Sequence, residues 1–153
     1  MKKIIWIVTL LSSFLYSYNN EITYDNDRGL YIVVNEIINI RDEPTTKSDV
    51  LYQKYRGNML LVDRASNGGW LQLENGKYIY KNGIKKLDPN NIFKLKIVVT
   101  NARIRSKPSV KNGVVVEDGL KKDSEVFAIE KIGKWYLLID GNYIWANSVS
   151  LPE

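Results

Sequence analysis

Ile40-Arg41-Asp42-Glu43-Pro44 returns later in the chain as Ile104-Arg105-Ser106-Lys107-Pro108. Each copy is followed by a tryptophan, Trp70 or Trp135, and then by Gly-x-Tyr-Ile, at Gly76 to Ile79 and Gly141 to Ile144. Recurrence of several landmarks in one order indicates duplication of a small structural unit rather than one large fold. The segments between the landmarks are β in character. Tyr31-Ile32-Val33-Val34 and Ile97-Val98-Val99 are mostly β-branched. Trp70-Leu71-Gln72-Leu73-Glu74 alternates apolar and polar, the period of a half-buried strand. Asn75-Gly76 and Asp140-Gly141 read as two-residue type I′ hairpin turns, which need positive φ at both central positions. Short strands separated by turns, in fewer than about sixty residues per copy, predict a small β-barrel for each.

The chain has 153 residues. Its start, Met1-Lys2-Lys3 followed by a mostly apolar run over 4–16 and the small Ser17, reads as a secretory signal peptide over 1–17, the alternative being an uncleaved N-terminal anchor. No cysteine follows the run, so lipid attachment through cysteine is excluded. The expected organisation is a polar arm at 18–29, a first unit at 30–88, a linker at 89–94 marked by Asp88-Pro89-Asn90-Asn91, and a second unit at 95–153. A strand is expected within the arm around Ile22 to Tyr24. With no cysteine in the chain, each unit relies on its apolar core, not on disulfides.

The formal charge of +5 falls to +3 once Lys2 and Lys3 leave with the signal peptide. Residues 30–88 and 96–153 each carry nine basic and seven acidic side chains, a mixed surface rather than a phosphate-binding footprint. No nucleic-acid partner is expected, and no membrane span after signal cleavage. The absence of His and Cys removes Cys–His and Ser–His nucleophile systems and His-ligated zinc hydrolysis. The acidic residues fall mostly in turns and on outward strand positions. The reading is therefore a non-enzyme without cofactor or metal.

The repeated landmarks resemble the bacterial SH3 domain, or SH3b. The residues that carry the resemblance are Ile38-Asn39-Ile40-Arg41 with Pro44, Gly69-Trp70, Asn75-Gly76 and Tyr78-Ile79 in the first copy. In the second they are Ala102-Arg103-Ile104-Arg105 with Pro108, Trp135-Tyr136, Asp140-Gly141 and Tyr143-Ile144. Arg103 stands where that family usually has Asn, and Leu71 where a Tyr often follows the Trp. The resemblance implies an all-β fold of two tandem small SH3-like β-barrels. It also implies a setting in the bacterial envelope, periplasmic or secreted, among proteins that bind or remodel cell wall. The expected partner is a peptidoglycan peptide or an envelope protein.

Strand periodicity places Leu71, Leu73 and Ile79 in the core, and Trp70, Tyr78 and Tyr80 on an outer face of adjacent strands. The second copy repeats this with Trp135, Tyr143 and Trp145, and the resemblance adds Tyr136. These seven aromatics are the expected ligand-binding residues, since flat rings suit peptide backbones and sugar faces. The alternative use of the rings is packing on their own loops or on the other copy. Leu137 and Ile139 share the outer side with Trp135, a face too apolar to be left in water. Arg41 and Arg105 are expected to tie down loop carbonyls or an acidic neighbour rather than a ligand. Asp42-Glu43 becomes Ser106-Lys107, so the copies are not expected to bind one ligand equally. Lys81, Lys85 and Lys86 form a small basic cluster. The alternative function is a structural adaptor for an envelope protein, with the two barrels packed together.

Overall fold

The structure, a computed structural model, describes residues 26–151. The signal segment, most of the polar arm and the strand expected near Ile22 to Tyr24 lie outside the described residues.

The first copy forms β1 (Gly29–Val33), β2 (Ile37–Arg41), β3 (Val50–Tyr55), β4 (Met59–Ala65), β5 (Trp70–Leu73), β6 (Tyr78–Tyr80) and β7 (Ile84–Lys86). The second forms β8 (Phe93–Ile97), β9 (Ala102–Arg105), β10 (Val115–Leu120), β11 (Glu125–Ile132), β12 (Trp135–Leu138), β13 (Tyr143–Trp145) and β14 (Val149–Ser150). The strand orders are β3-β2-β6-β5-β4-β1-β7 and β10-β9-β13-β12-β11-β8-β14, with antiparallel pairing throughout. Each strand of the first copy therefore has its counterpart seven places on, and the duplication read from the landmarks is a duplication of topology.

Closed barrels were expected, and the sheets are open. β3 and β7 end the first, and β10 and β14 end the second. Each sheet nevertheless makes its own core. Tyr31, Val33, Ile38, Ile40, Leu60, Val62, Leu71, Leu73, Ile79 and Ile84 form one buried cluster drawn from six strands of one sheet. A sheet that buries one face against itself must coil strongly, which the right-handed twist of strands permits.

The hairpins also differ from expectation. Leu73 N–H donates to Lys77 O at 2.8 Å and Gly76 N–H to Leu73 O at 2.9 Å. Gly76 and Gly141 each have φ of 79°, whereas Asn75 and Asp140 are not among the positive-φ residues. These are three-residue loops, a right-handed turn closed by a left-handed glycine. The side chains explain why: Asn75 accepts from Lys77 N–H at 3.1 Å and Asp140 from Asn142 N–H at 2.9 Å. Such Asx bonds hold the residue right-handed and leave the positive φ to glycine.

β1 is buried along its whole length. Tyr31 and Val33 face their own core, while Leu30 and Ile32 join Leu87 and Ile139 in a separate cluster. Met59, Leu61, Ile92, Phe127 and Ile129 pack around it. This cluster is a seam between the two copies, and it uses the continuous apolar run of β1 on both faces. Main chain closes in at its margin: Arg56 Nη1 donates to Gly141 O at 2.9 Å, and Lys85 pairs with Glu130 at 2.7 Å. A Cβ on Gly57 would meet Asp140 O at 2.9 Å, and one on Gly141 would meet Val33 O at 2.8 Å. The counterpart of β1 does not repeat this. Outward Lys94 and Lys96 on β8 pair with Glu125 and Asp123, at 2.7 and 2.9 Å.

Candidate functional site

Antiparallel register sets the aromatic faces. Trp70 lies opposite Tyr80 and Gln72 opposite Tyr78, while Trp135 lies opposite Trp145 and Leu137 opposite Tyr143. The cross-strand rings meet edge to face, Trp70 with Tyr80 at 5.3 Å and Trp135 with Trp145 at 5.0 Å between centroids. Such pairs prefer this geometry because a positive ring edge meets a negative face. Both Trp70 and Trp135 are only 7% exposed. They are the buried supports of the pair, and Tyr80, 40% exposed, and the half-buried Trp145 are the partners that reach solvent.

The remaining three expected residues separate. Tyr78 is half-buried and its hydroxyl accepts from Gln72 Nε2 at 3.2 Å, at the far end of β6 from Tyr80. Tyr143 is drawn toward the seam, where Arg56, Lys85 and Glu130 act on it electrostatically. Tyr136 lies on the other face of β12, packed on the second core, with its ring 6.5 Å from that of Phe93. Tyr136 therefore does not join Trp135, because adjacent strand residues point to opposite faces. The outer apolar face of β12 was too apolar for water; Ile139 at its end packs in the seam.

In the second copy the Trp135–Trp145 pair borders an open pocket of about 220 Å3, lined also by Val99, Ala102, Arg103, Arg105 and Ser148. At the corresponding place in the first copy, Ile38 and Gly83 stand for Ala102 and Ser148. A Cβ on Gly83 would lie 2.5 Å from Ile38 Cδ1 and 2.9 Å from Asn35 Nδ2, so that space is already filled. Ala102 is the small residue that leaves room. The sequence comparison of the copies contained this difference, but only the fold shows that the position abuts the tryptophan pair.

The two arginines do as expected. Arg41 Nη1 donates to Ser48 O, and Arg105 Nη1 to Gly113 O at 2.8 Å. Arg103 Nε donates to Asp118 Oδ1 at 3.0 Å, a strand-to-strand link in the place where Asn39 accepts from Gln53 Nε2 at 3.0 Å. The Arg103 hydrogen bond holds the Asp118 carboxyl below the usual carboxylate range. The basic cluster is dispersed: Lys85 pairs with Glu130, and Lys86 Nζ donates to Asn26 O at 2.6 Å.

Burial raises the Tyr143 phenol above its ordinary value near 10, with smaller contributions from the neighbouring charges. The folded state thus holds that proton more tightly than the unfolded chain does. Its contribution to stability is complete below pH about 10 and is lost as pH rises through the folded value. Urea titrations in alkaline buffer should show stability falling there, and Tyr143→Phe should flatten the fall. An unchanged slope in that variant would contradict this placement.

No protein-family model matches the chain, and no curated protein does. Two solved structures from Trichomonas vaginalis show a likeness. NlpC2 is 15% identical, with 85% of this chain and 50% of that one covered at a TM-score of 0.35. NlpC1 is 14% identical, with 86% and 48% covered at 0.36. The chain spans about half the length of each, and a likeness of this size assigns no activity.

Proposed function

We propose that this chain is a non-catalytic exported binding protein of the bacterial envelope, periplasmic or secreted. Its two coiled sheets are read as tandem SH3b-like barrels, and its second copy holds a peptide segment of the cell wall. The supporting observation is the pocket beside Trp135 and Trp145, whose counterpart space at Gly83 in the first copy is filled by Ile38 and Asn35. Tryptophan edges supply contact area at little entropic cost. The copies are then unequal: one binds, and the other supports it across the seam.

The test is co-sedimentation with purified insoluble peptidoglycan. Trp70 and Trp135 are poor sites for it, because deleting a buried Trp typically costs about 3–5 kcal/mol of stability. Trp145→Ala is expected to lower the bound fraction by about ten-fold or more, the loss of a single aromatic anchor. Tyr80→Ala should leave it near the starting value. Equal retention of both variants would sink this reading.

The second reading, an adaptor for an envelope protein with the two copies packed together, is favoured by the seam itself. It predicts no wall binding and one specific protein recovered by affinity capture.

A further inference from the structure

A second cavity of about 220 Å3 opens in the second copy, away from the tryptophan pair. Its walls include Ile104, Leu120, Val126 and Leu138, which belong to or pack on the core of that sheet. Glu117, Glu125 and Asp140 also line it. Glu125 is paired with Lys94 at 2.7 Å, and Asp140 accepts from Asn142 N–H at 2.9 Å.

The first copy shows what normally covers this place. Ile40 pairs with Tyr52 as Ile104 pairs with Glu117, and the Asn75 turn corresponds to the Asp140 turn. Asn75 Nδ2 donates to the Tyr52 hydroxyl at 2.8 Å, a bond from β3 to the hairpin turn. In the second copy both ends of that link are carboxylates. A carboxylate accepts but does not donate, so the Tyr–Asn hydrogen bond of the first copy has no counterpart between these two residues. A donor cation placed between them restores the missing bridge and meets two negative acceptors at once.

We propose that this cavity binds the side chain of a lysine presented by a peptide. The alkyl stem lies on Val126 and Leu138, and the ammonium stands between Glu117 and Asp140. The volume suits one side chain rather than a larger ligand. Charge selects the occupant: an apolar group of equal length fills the floor but leaves the two carboxylates unpaired. This site is separate from the Trp135–Trp145 pocket, and either can fail without the other.

The experiment is a methyl-NMR titration of the whole chain with N-acetyl-lysine methylamide, and with the norleucine analogue, which has the same stem without the amine. The lysine probe is expected to shift the Val126 and Leu138 methyl signals saturably, with the indole signals of Trp135 and Trp145 unmoved. The norleucine probe should bind about ten-fold more weakly or worse, the loss expected for one charge-assisted contact. Glu117→Tyr with Asp140→Asn copies the closed mouth of the first copy and should abolish the shifts. Glu117→Gln, a smaller change at an exposed residue, should weaken them with the fold intact. Equal binding of the two probes, absence of lysine shifts, or undiminished binding by Glu117→Gln would overturn the proposal.

Discussion

Replacement of Ile32 by Asp is expected to unfold both copies together. Ile32 has no exposed surface and sits in the seam with Leu30, Leu87 and Ile139. A carboxylate there has no partner among the surrounding apolar groups, and an uncompensated buried charge costs upward of about 4 kcal/mol. That is a large share of the 5–15 kcal/mol that holds typical domains of this kind. The milder Ile32→Ala should cost about 2–5 kcal/mol through lost burial and the cavity it leaves. The seam is a cluster shared by both sheets, so the destabilisation should not stay in the first copy. Urea unfolding read at Trp70 and at Trp135 and Trp145, separated by Trp→Phe variants, should show coincident midpoints that move together. A second copy that keeps its midpoint in Ile32→Ala would show the seam to be energetically idle.

Gly141→Ala should be markedly worse than Gly76→Ala, although both glycines have φ of 79° in equivalent turns. An alanine at that φ costs roughly 1–2 kcal/mol anywhere, because its Cβ crowds the following carbonyl. Nothing lies within 4 Å of a Cβ on Gly76, so the cost there should stop at that. A Cβ on Gly141 would sit 2.8 Å from Val33 O and 3.3 Å from Gly57 N, both backbone atoms of the other copy. Backbone does not rotate away as a side chain does, so the seam must shift. Overpacking of this kind adds about 1–3 kcal/mol. Thermal melts of the two variants give the difference directly, and equal melting temperatures would mean that the copies do not approach this closely.

Much of the β architecture is legible in the sequence. The Trp and Gly-x-Tyr-Ile landmarks fall on β5, β6, β12 and β13, and alternation assigned Leu71, Leu73 and Ile79 to the core correctly. The hairpin type was misread because Asn-Gly and Asp-Gly favour type I′ only when both residues turn left-handed. Here each Asx side chain bonds two residues on, which a dipeptide pattern does not reveal. β3 and β10 gave no clean signal: Val50-Leu51-Tyr52 and Val115-Val116-Glu117 lie at sheet edges and are largely exposed, so no burial imposes alternation on them.

The candidate sites were less legible. Seven aromatics looked like one kind of platform, yet they separate into two buried supports, two half-exposed partners and three rings used elsewhere. Hydrophobicity along a strand tells which residues share a face. It does not tell whether that face meets solvent, a loop or another sheet.

The sequence by itself determined that one β unit occurs twice, that the chain lacks the residues for nucleophilic His or Cys chemistry, and which strand positions point inward. These follow from covalent alternation and residue type, which are local. Only the tertiary structure decided what the outer faces do. It joined Leu30, Ile32 and Ile139 in one seam, and it set Ala102 beside a tryptophan pair. It also lined one cavity with both Glu117 and Asp140, the counterparts of Tyr52 and Asn75 in the other copy. Those outcomes depend on residues far apart in the chain meeting in space. The Ile-Arg-x-x-Pro repeat marks two equivalent loops, and the differences around them make the copies unequal.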